Sequence, residues 1–267
     1  MPLDPLTLIP TRDTLRRGRS LIPSFLVFNT IDLMKWEDDF VGASLYGGEA
    51  VEGNGTLLTR YQSTASGAAS AAAGIATGVV NGVVRLDPGT ANAGRSDLSL
   101  GRHFRGDRYA VCWWRVTLPS AITSFKFELG FTDVVSGTDA GAVNAKSTPT
   151  WTADDAVVFV FDTDDDTRLT LAGVAATVGA TAEDFDTALA ASTAYYFGIA
   201  LRGTRAKGFL LGANGDFLEE SAWMTGAVTE DVLLTPWAFV QNRSANQRLL
   251  DIDYLLCYQW RTTTQWG

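Results

Sequence analysis

The side chains in this sequence that could carry chemistry are mainly carboxylates, and two groups of them are spaced closely enough to act together. Asp251 and Asp253 lie two residues apart in the run LLDIDYLL, and a run of three acidic residues occupies 37–39. A strand places residues i and i+2 on one face, so such a pair could reach the spacing of about 5–10 Å that glycoside hydrolysis needs. We expect Asp251 and Asp253 to point into solvent or to pair with an arginine such as Arg248, and we assign no catalytic residue.

The densest acidic run ends in the sequence DTDDD. Asp162, Asp164 and Asp166 match the first three ligand positions of a calcium-binding loop. The match ends there, because Thr167 stands where that loop has glycine and Gly173 where it has a bidentate glutamate. Aspartates in a tight turn also accept hydrogen bonds from nearby backbone N–H groups. We favour such a turn, keep calcium at these three residues as the alternative, and expect no other cofactor.

The residue types used most often in nucleophilic and metal chemistry are scarce. His103 is the only histidine, which excludes zinc sites built on two or three histidines, and no G-x-S-x-G sequence accompanies it. We therefore expect a surface or interface histidine. The two cysteines, Cys112 and Cys257, lie in apolar, strand-like runs, and we expect buried thiols, with a disulfide between neighbouring strands as the alternative. Eight tryptophans could stack on sugar rings or fill a core, and the sequence does not separate these roles.

Charge is distributed unevenly along the 267 residues. The net charge is −9, but residues 1–35 carry five cations and three anions, so this segment is +2 and the remainder is −11. An acidic chain without a phosphate-binding glycine motif argues against nucleic acid as a partner, because phosphate affinity comes from clustered Lys and Arg. No run reaches the length of a membrane span and the N-terminus has no signal-peptide pattern, so we expect no membrane partner and assembly in a cytoplasm.

Residues 1–35 have the composition of an extended arm. Four prolines interrupt the segment and the tripeptide LIP occurs twice, at 8–10 and 21–23. Proline fixes φ and removes a backbone donor, which favours an extended path with few ladder bonds. We predict an arm over 1–35 that anchors the protein to a partner, and a single domain over 36–267. The residues expected to make the anchoring contacts are Arg12, Arg16, Arg17, Arg19, Leu21, Ile22 and Phe25.

After residue 35 the apolar residues alternate with polar ones. TSFKFELGFTD places four apolar residues on one face with Lys126 and Glu128 opposite, and LLDIDYLLCYQW places Leu250, Ile252 and the alternate residues up to Trp260 on one face. This period predicts antiparallel strands in an all-β sandwich of two packed sheets. The best helix candidate, 181–190, could equally be an edge strand. Two segments of small or polar residues, 63–78 and 136–151, are predicted to be loops or interface segments that contact a partner.

Three segments carry a resemblance to a known family: FKFELGFTD (125–133), AVVFVFDTDDDTRLTLAG (156–173) and PWAFVQNRSANQRLLDIDYLLCYQW (236–260). They resemble virion proteins of tailed bacteriophages that have a concanavalin A-like lectin/glucanase sandwich. The resemblance covers about residues 36–260 and leaves out the arm. It implies a jelly roll that often forms trimers on capsids or tails, and that in some members binds or cleaves polysaccharide. The E-x-D-x-x-E type strand of the sandwich glycosidases is absent from this sequence, which argues against catalysis.

On this resemblance we expect a non-enzymatic phage structural protein of the virion, a capsid decoration or cement protein. Its partners would be further copies of itself in a homotrimer and the major capsid protein or other virion proteins. The alternative is a lectin-like tail or receptor-binding module that recognises host surface glycan, and a polysaccharide hydrolase is the third reading. Whether the protein belongs to the head or the tail stays open.

Overall fold

The structure is a computed structural model, and it describes residues 33–40, 61–63, 65–68, 70–76, 79, 82–134, 141–146 and 150–261. Within these ranges the chain forms eighteen strands and one short 3-10 turn at Gly106–Arg108. The strands are β1 (Leu33–Asp38), β2 (Ala65–Ser66), β3 (Ala72–Ile75), β4 (Val84–Asp87), β5 (Arg95–Ser99), β6 (Val111–Thr117), β7 (Phe125–Thr132), β8 (Val143–Ala145), β9 (Thr150–Trp151), β10 (Ala156–Asp162), β11 (Leu169–Ala175), β12 (Val178–Gly179), β13 (Glu183–Phe185), β14 (Ala194–Arg202), β15 (Arg205–Gly212), β16 (Phe217–Glu220), β17 (Thr235–Asn242) and β18 (Leu250–Trp260).

Sixteen of these strands form two antiparallel sheets. Sheet 1 has the order β16-β15-β14-β6-β18-β4-β3, and β1 also pairs with β18. Sheet 2 has the order β12-β11-β10-β7-β17-β5-β2, and β13 also pairs with β11. Strands β8 and β9 form a separate hairpin. The two sheets enclose one main apolar cluster, so the predicted all-β, two-sheet sandwich is confirmed.

The alternation read from the sequence places the core correctly in most strands. Phe125, Phe127, Leu129 and Phe131 of β7 are buried in the main cluster, and the alternate residues of β14 from Tyr195 join them there. Side chains of successive strand residues point to opposite faces, so each sheet buries one set in the shared core and presents the other set outward.

Strand β18 departs from the predicted pattern because it contains a β-bulge. The pairing with β6 shifts register between Ile252 and Tyr254. Ile252 and Leu255 therefore both enter the core, while Tyr254 and Leu256 belong to a second cluster on the outer side of sheet 1. The expectation that Ile252 and Tyr254 share one face was wrong, since one extra residue in a bulge reverses the side to which the following residues point.

Several segments predicted as loops contain strands. Residues 63–78 contain the edge strands β2 and β3, and 136–151 contains β8 and β9. The helix candidate at 181–190 contains β13, which pairs with β11 at an edge, as the alternative reading had it. Strand β1 begins at Leu33, so it includes the last residues of the predicted arm; the division into an arm and a domain stays a prediction.

Candidate functional site

The outer faces of the two sheets differ in what covers them. On sheet 2, apolar residues of the segment 142–153 pack on the outward side chains of β10, β11 and β17 and bury them together. Trp237 and Phe239 lie in this cluster without solvent exposure. The protein therefore closes the central part of this face with its own hairpin.

A buried ion pair holds that hairpin in place. The Lys126 ammonium lies 2.8 Å from a Glu128 carboxylate oxygen, and both side chains are fully buried. Glu128 also accepts hydrogen bonds from the backbone N–H groups of Ala142 and Val143 and from the indole N–H of Trp237, at 2.7–3.1 Å. The sequence pattern places Lys126 and Glu128 opposite the core, which is correct, but a hairpin distant in sequence removes them from solvent.

The outer face of sheet 1 carries a row of polar and aromatic side chains. Arg115 of β6 is in register with Tyr254 of β18 on one side and with Tyr196 of β14 on the other. The Arg115 guanidinium lies 5.6 Å from the centre of the Tyr196 ring, within the range of a cation–π contact. It also forms an ion pair with Asp253, the residue at the bulge.

Strand β1 extends this row with a second ion pair. The Tyr254 hydroxyl donates to Glu37 at 2.7 Å, and Glu37 pairs with Lys35. We call this group the tyrosine band; its members are Lys35, Glu37, Arg115, Tyr196, Asp253 and Tyr254. The four charged side chains keep between 22% and 30% of their surface exposed, so they reach solvent while the neighbouring aromatic rings form a floor.

Two atoms of the band have hydrogen-bonding capacity that the described residues do not use. Arg115 Nε, a donor, and Asp253 Oδ1, an acceptor, have no partner within the described chain. An unpaired polar atom shielded from bulk water is costly, and in native proteins it commonly marks a water, ion or ligand position.

The tyrosines of the band stay protonated at neutral pH. Burial, followed by the hydrogen bond to Glu37, raises the pKa of Tyr254 far above its usual range. Burial also raises the pKa of Tyr196, and the nearby Arg115 offsets this only in part. Both phenols therefore remain neutral hydrogen-bonding groups rather than acids or nucleophiles.

The floor beside the band depends on one glycine. A Cβ at Gly198 would lie 2.5 Å from ring atoms of Trp113, so the indole can occupy this position only because Gly198 has no side chain. The ring then reaches Phe209 on the next strand, with 5.9 Å between ring centres. Trp113 is thus a packing residue of this face, and Trp114, its neighbour, fills the main core.

The carboxylate pair singled out in the sequence is bound to arginines. Asp251 accepts two hydrogen bonds from Arg85, both at 2.7 Å, and Asp253 pairs with Arg115. The expected pairing with arginines is confirmed, but Arg248, the arginine named from the sequence, is not one of the partners and donates to the carbonyl oxygen of Thr123. Arg85 comes from a strand distant in sequence that joins β18 only in the folded sheet, and spacing alone does not reveal it.

The Asp-rich segment forms the turn between β10 and β11. Asp162 is buried and binds Arg243, and its carboxylate also accepts the N–H of Asp164 at 3.2 Å. Asp166 forms an ion pair with Lys146 and accepts the N–H of Arg168. Within the described ranges, no group of three or more His, Cys, Asp or Glu side chains is arranged to hold a metal ion. The turn interpretation thus has a direct structural basis in these hydrogen bonds.

The remaining candidate residues occupy structural positions. His103 is exposed and its backbone N–H bonds to Leu234. Cys112 and Cys257 face each other across β6 and β18, and both are buried free thiols, as expected. The seven predicted arm contacts, Arg12 to Phe25, lie outside the described residues. Within the described chain no helix has the length and apolar character of a membrane span.

Comparison with solved structures identifies proteins that have the same fold. No protein-family model and no curated protein matches this chain. Among solved structures, a protein of unknown function from Shewanella oneidensis MR-1 is 14% identical over 88% of this chain and 90% of its own, with a TM-score of 0.60. Peanut lectin is 10% identical over 86% of this chain and 99% of its own, with a TM-score of 0.54. The Emp47p carbohydrate recognition domain is 11% identical over 86% of this chain and 98% of its own, with a TM-score of 0.52. The chain therefore has the jelly roll of the concanavalin A-like lectins.

Proposed function

We propose that this protein is a non-enzymatic module that recognises carbohydrate through the tyrosine band. The observation that carries the proposal is the pair of partly exposed charged side chains, Arg115 and Asp253, beside the partly exposed ring of Tyr254. Sugar hydroxyls need neighbouring donors and acceptors, and the apolar faces of sugar rings pack on aromatic side chains. Two proteins of the same fold are by name a lectin and a carbohydrate recognition domain, which supports the same class of ligand.

The charged groups of the band favour binding over hydrolysis. A glycosidase needs one carboxyl group that gives up a proton and a second that attacks or activates water. Asp251 and Asp253 each pair with an arginine, and Glu37 pairs with Lys35 and accepts from a phenol. Each of these carboxylates is thus engaged by a cation of the protein itself rather than held as a free acid–base pair.

A glycan array probed with the full chain, followed by calorimetry on the best ligand, tests the proposal. Arg115→Met removes the guanidinium while keeping the length of the side chain. Loss of a hydrogen bond to a charged group costs about 1.5–3 kcal/mol, so affinity should fall roughly tenfold to a hundredfold. Arg168→Met is the matched control, because Arg168 is an exposed, ion-paired arginine at the β10–β11 turn. Equal affinity of the Arg115 and Arg168 variants would refute the proposed site.

We further propose that the module works on a tailed-phage particle, as the sequence resemblance implies, with decoration of the capsid as the first assignment and a tail receptor-binding role as the second. What supports this is the basic, proline-rich segment that leads into the first strand of an otherwise acidic sandwich. Immunogold labelling of phage particles tests it: label on the capsid supports the first assignment, label on the tail supports the second, and unlabelled particles contradict both.

A further inference from the structure

The edge of sheet 1 farthest from β1 exposes two large apolar side chains. Strand β16 is the outermost strand there, and Phe217 and Leu218 keep 55% and 41% of their surface exposed. The pairing of β16 with β15 shifts register between Phe217 and Glu219, so the usual alternation is interrupted here and both apolar side chains remain exposed. An exposed apolar edge strand in a soluble protein is a common place for association with another chain.

Strand β16 is joined at this edge to the segment after β13 of the other sheet. The Glu219 carboxylate accepts the backbone N–H groups of Asp186 and Thr187, at 2.9 and 2.8 Å. The two strands therefore form one continuous border along the side of the sandwich.

This border is strongly acidic. Six carboxylates and no Lys or Arg lie along 183–186 and 216–220, so these two stretches carry a charge of −6. Among their ion pairs are Lys207 with Glu220 and Arg168 with Asp184. We call this surface the acidic edge; its members are Glu183, Asp184, Asp186, Asp216, Phe217, Leu218, Glu219 and Glu220.

We propose that the acidic edge binds the N-terminal arm, residues 8–25, of a second copy of this chain. That segment has four arginines and one aspartate, a charge of +3, and contains both copies of LIP and Phe25. Basic and apolar residues in one extended segment complement an edge that is acidic and apolar. Exposed β-strand edges accept extended segments readily, because they offer unpaired backbone groups.

The topology favours a second copy over the arm of the same chain. The arm joins the sandwich at Leu33, opposite Trp260, on the far side of β18 from β16. Five strand spacings of about 4.8 Å, or roughly 24 Å, separate β1 from β16. Seven residues, 26–32, separate Leu33 from the segment 8–25, and fully extended they span about 25 Å. A chain's own arm would therefore reach its acidic edge only with this linker fully stretched, whereas copies arranged head to tail bring the arm side of one against the acidic edge of the next. Such a heterologous contact closes into a ring, the arrangement of a trimer, or continues as an open chain.

Sedimentation velocity on the full chain, with two variants and their mixture, tests this proposal. The edge variant is Phe217→Ser with Leu218→Ser, and the arm variant is Arg16→Glu with Arg17→Glu. We expect the wild type to self-associate and each variant alone to associate at least on the order of tenfold more weakly. The mixture should recover a heterodimer, because an intact arm of one variant meets an intact edge of the other.

The control is Leu233→Ser, which removes an exposed leucine outside the edge and should leave association unchanged. A monomeric wild type, undiminished association of the edge variant, or a mixture that stays monomeric would each overturn the proposal. Thermal melts of all variants verify folding, and glycan affinity measured in parallel keeps failure of this contact distinct from failure of the tyrosine band.

Discussion

Replacement of Glu128 by alanine should be among the most destabilising single changes in the sandwich. The substitution leaves the Lys126 ammonium without its carboxylate at a fully buried position. It also removes the acceptor for three further donors: the N–H groups of Ala142 and Val143 and the indole N–H of Trp237. Lys126 keeps its hydrogen bond to the carbonyl oxygen of Val143, which is not enough to compensate a buried charge.

The expected loss of unfolding free energy follows from these contacts. Breaking a buried ion pair by removal of one partner costs about 3–5 kcal/mol. For a domain of about 150–250 residues, 1 kcal/mol corresponds to about 2–4 °C in Tm, so the melting temperature should fall by roughly 6–20 °C. Lys126→Met should cost at least about 1 kcal/mol less than Glu128→Ala, because Glu128 then keeps its three neutral donors. Urea unfolding followed by tryptophan fluorescence measures both free energies of unfolding.

The matched control is an ion pair at the surface. Glu220 pairs with Lys207 at 2.6 Å, and the Glu220 side chain is 38% exposed, so Glu220→Ala should cost less than about 1 kcal/mol. If Glu128→Ala proves no more costly than Glu220→Ala, the hairpin does not seal the outer face of sheet 2, and the assignment of the two outer faces fails. Hydrogen exchange at Ala142 and Val143 gives an independent reading, since both amides should lose protection in the Glu128 variant.

Three further outcomes follow from the structure. Gly198→Ala should destabilise the protein by about 1–3 kcal/mol in urea titrations, because the new Cβ collides with the Trp113 ring; an unchanged midpoint would contradict that packing. Glu219→Gln should cost stability at neutral pH but not in acid. Burial raises the pKa of Glu219, but hydrogen bonds from two backbone N–H groups outweigh burial and leave the pKa lowered. The ionised carboxylate therefore stabilises the fold above the unfolded-state pKa of about 4.3, and this stabilisation is lost as the pH falls through the lower pKa of the folded state. A difference in stability between the wild type and the Glu219→Gln variant that persists in strong acid would refute this. Burial raises the pKa of the Cys112 and Cys257 thiols, so a thiol reagent should find neither in the native protein and both after unfolding, whereas no titratable thiol in urea would indicate a disulfide.

The presence of the central strands and the side of each that faces the core could be predicted from the sequence, because both depend on local alternation. The four apolar residues of β7 are enough to identify a half-buried strand and the side that faces the core. The bounds of strand β10, Ala156–Asp162, have an equally local cause, because a short apolar run is closed by an Asp-rich turn.

The candidate site could not be predicted in the same way, because it depends on register and long-range pairing. The bulge in β18 turns Tyr254 outward, and nothing in the run DIDYLL marks the extra residue. Arg115 of β6 lies beside Tyr254 only through strand pairing across more than one hundred residues. The burial of Glu128 likewise results from a hairpin that the sequence shows only as a loop of small and polar residues.

Oxidative footprinting of the full chain, with and without the best glycan from an array, tests most directly whether sugar is recognised at the tyrosine band. Tyr254 keeps part of its surface exposed and Phe217 is exposed at the distant sheet edge, so the two rings report on bound and unbound surface in one experiment. We expect glycan to protect Tyr254 from oxidation and to leave Phe217 unchanged. A bound glycan that leaves Tyr254 as reactive as before, or that protects only residues outside the band, would contradict the proposed site.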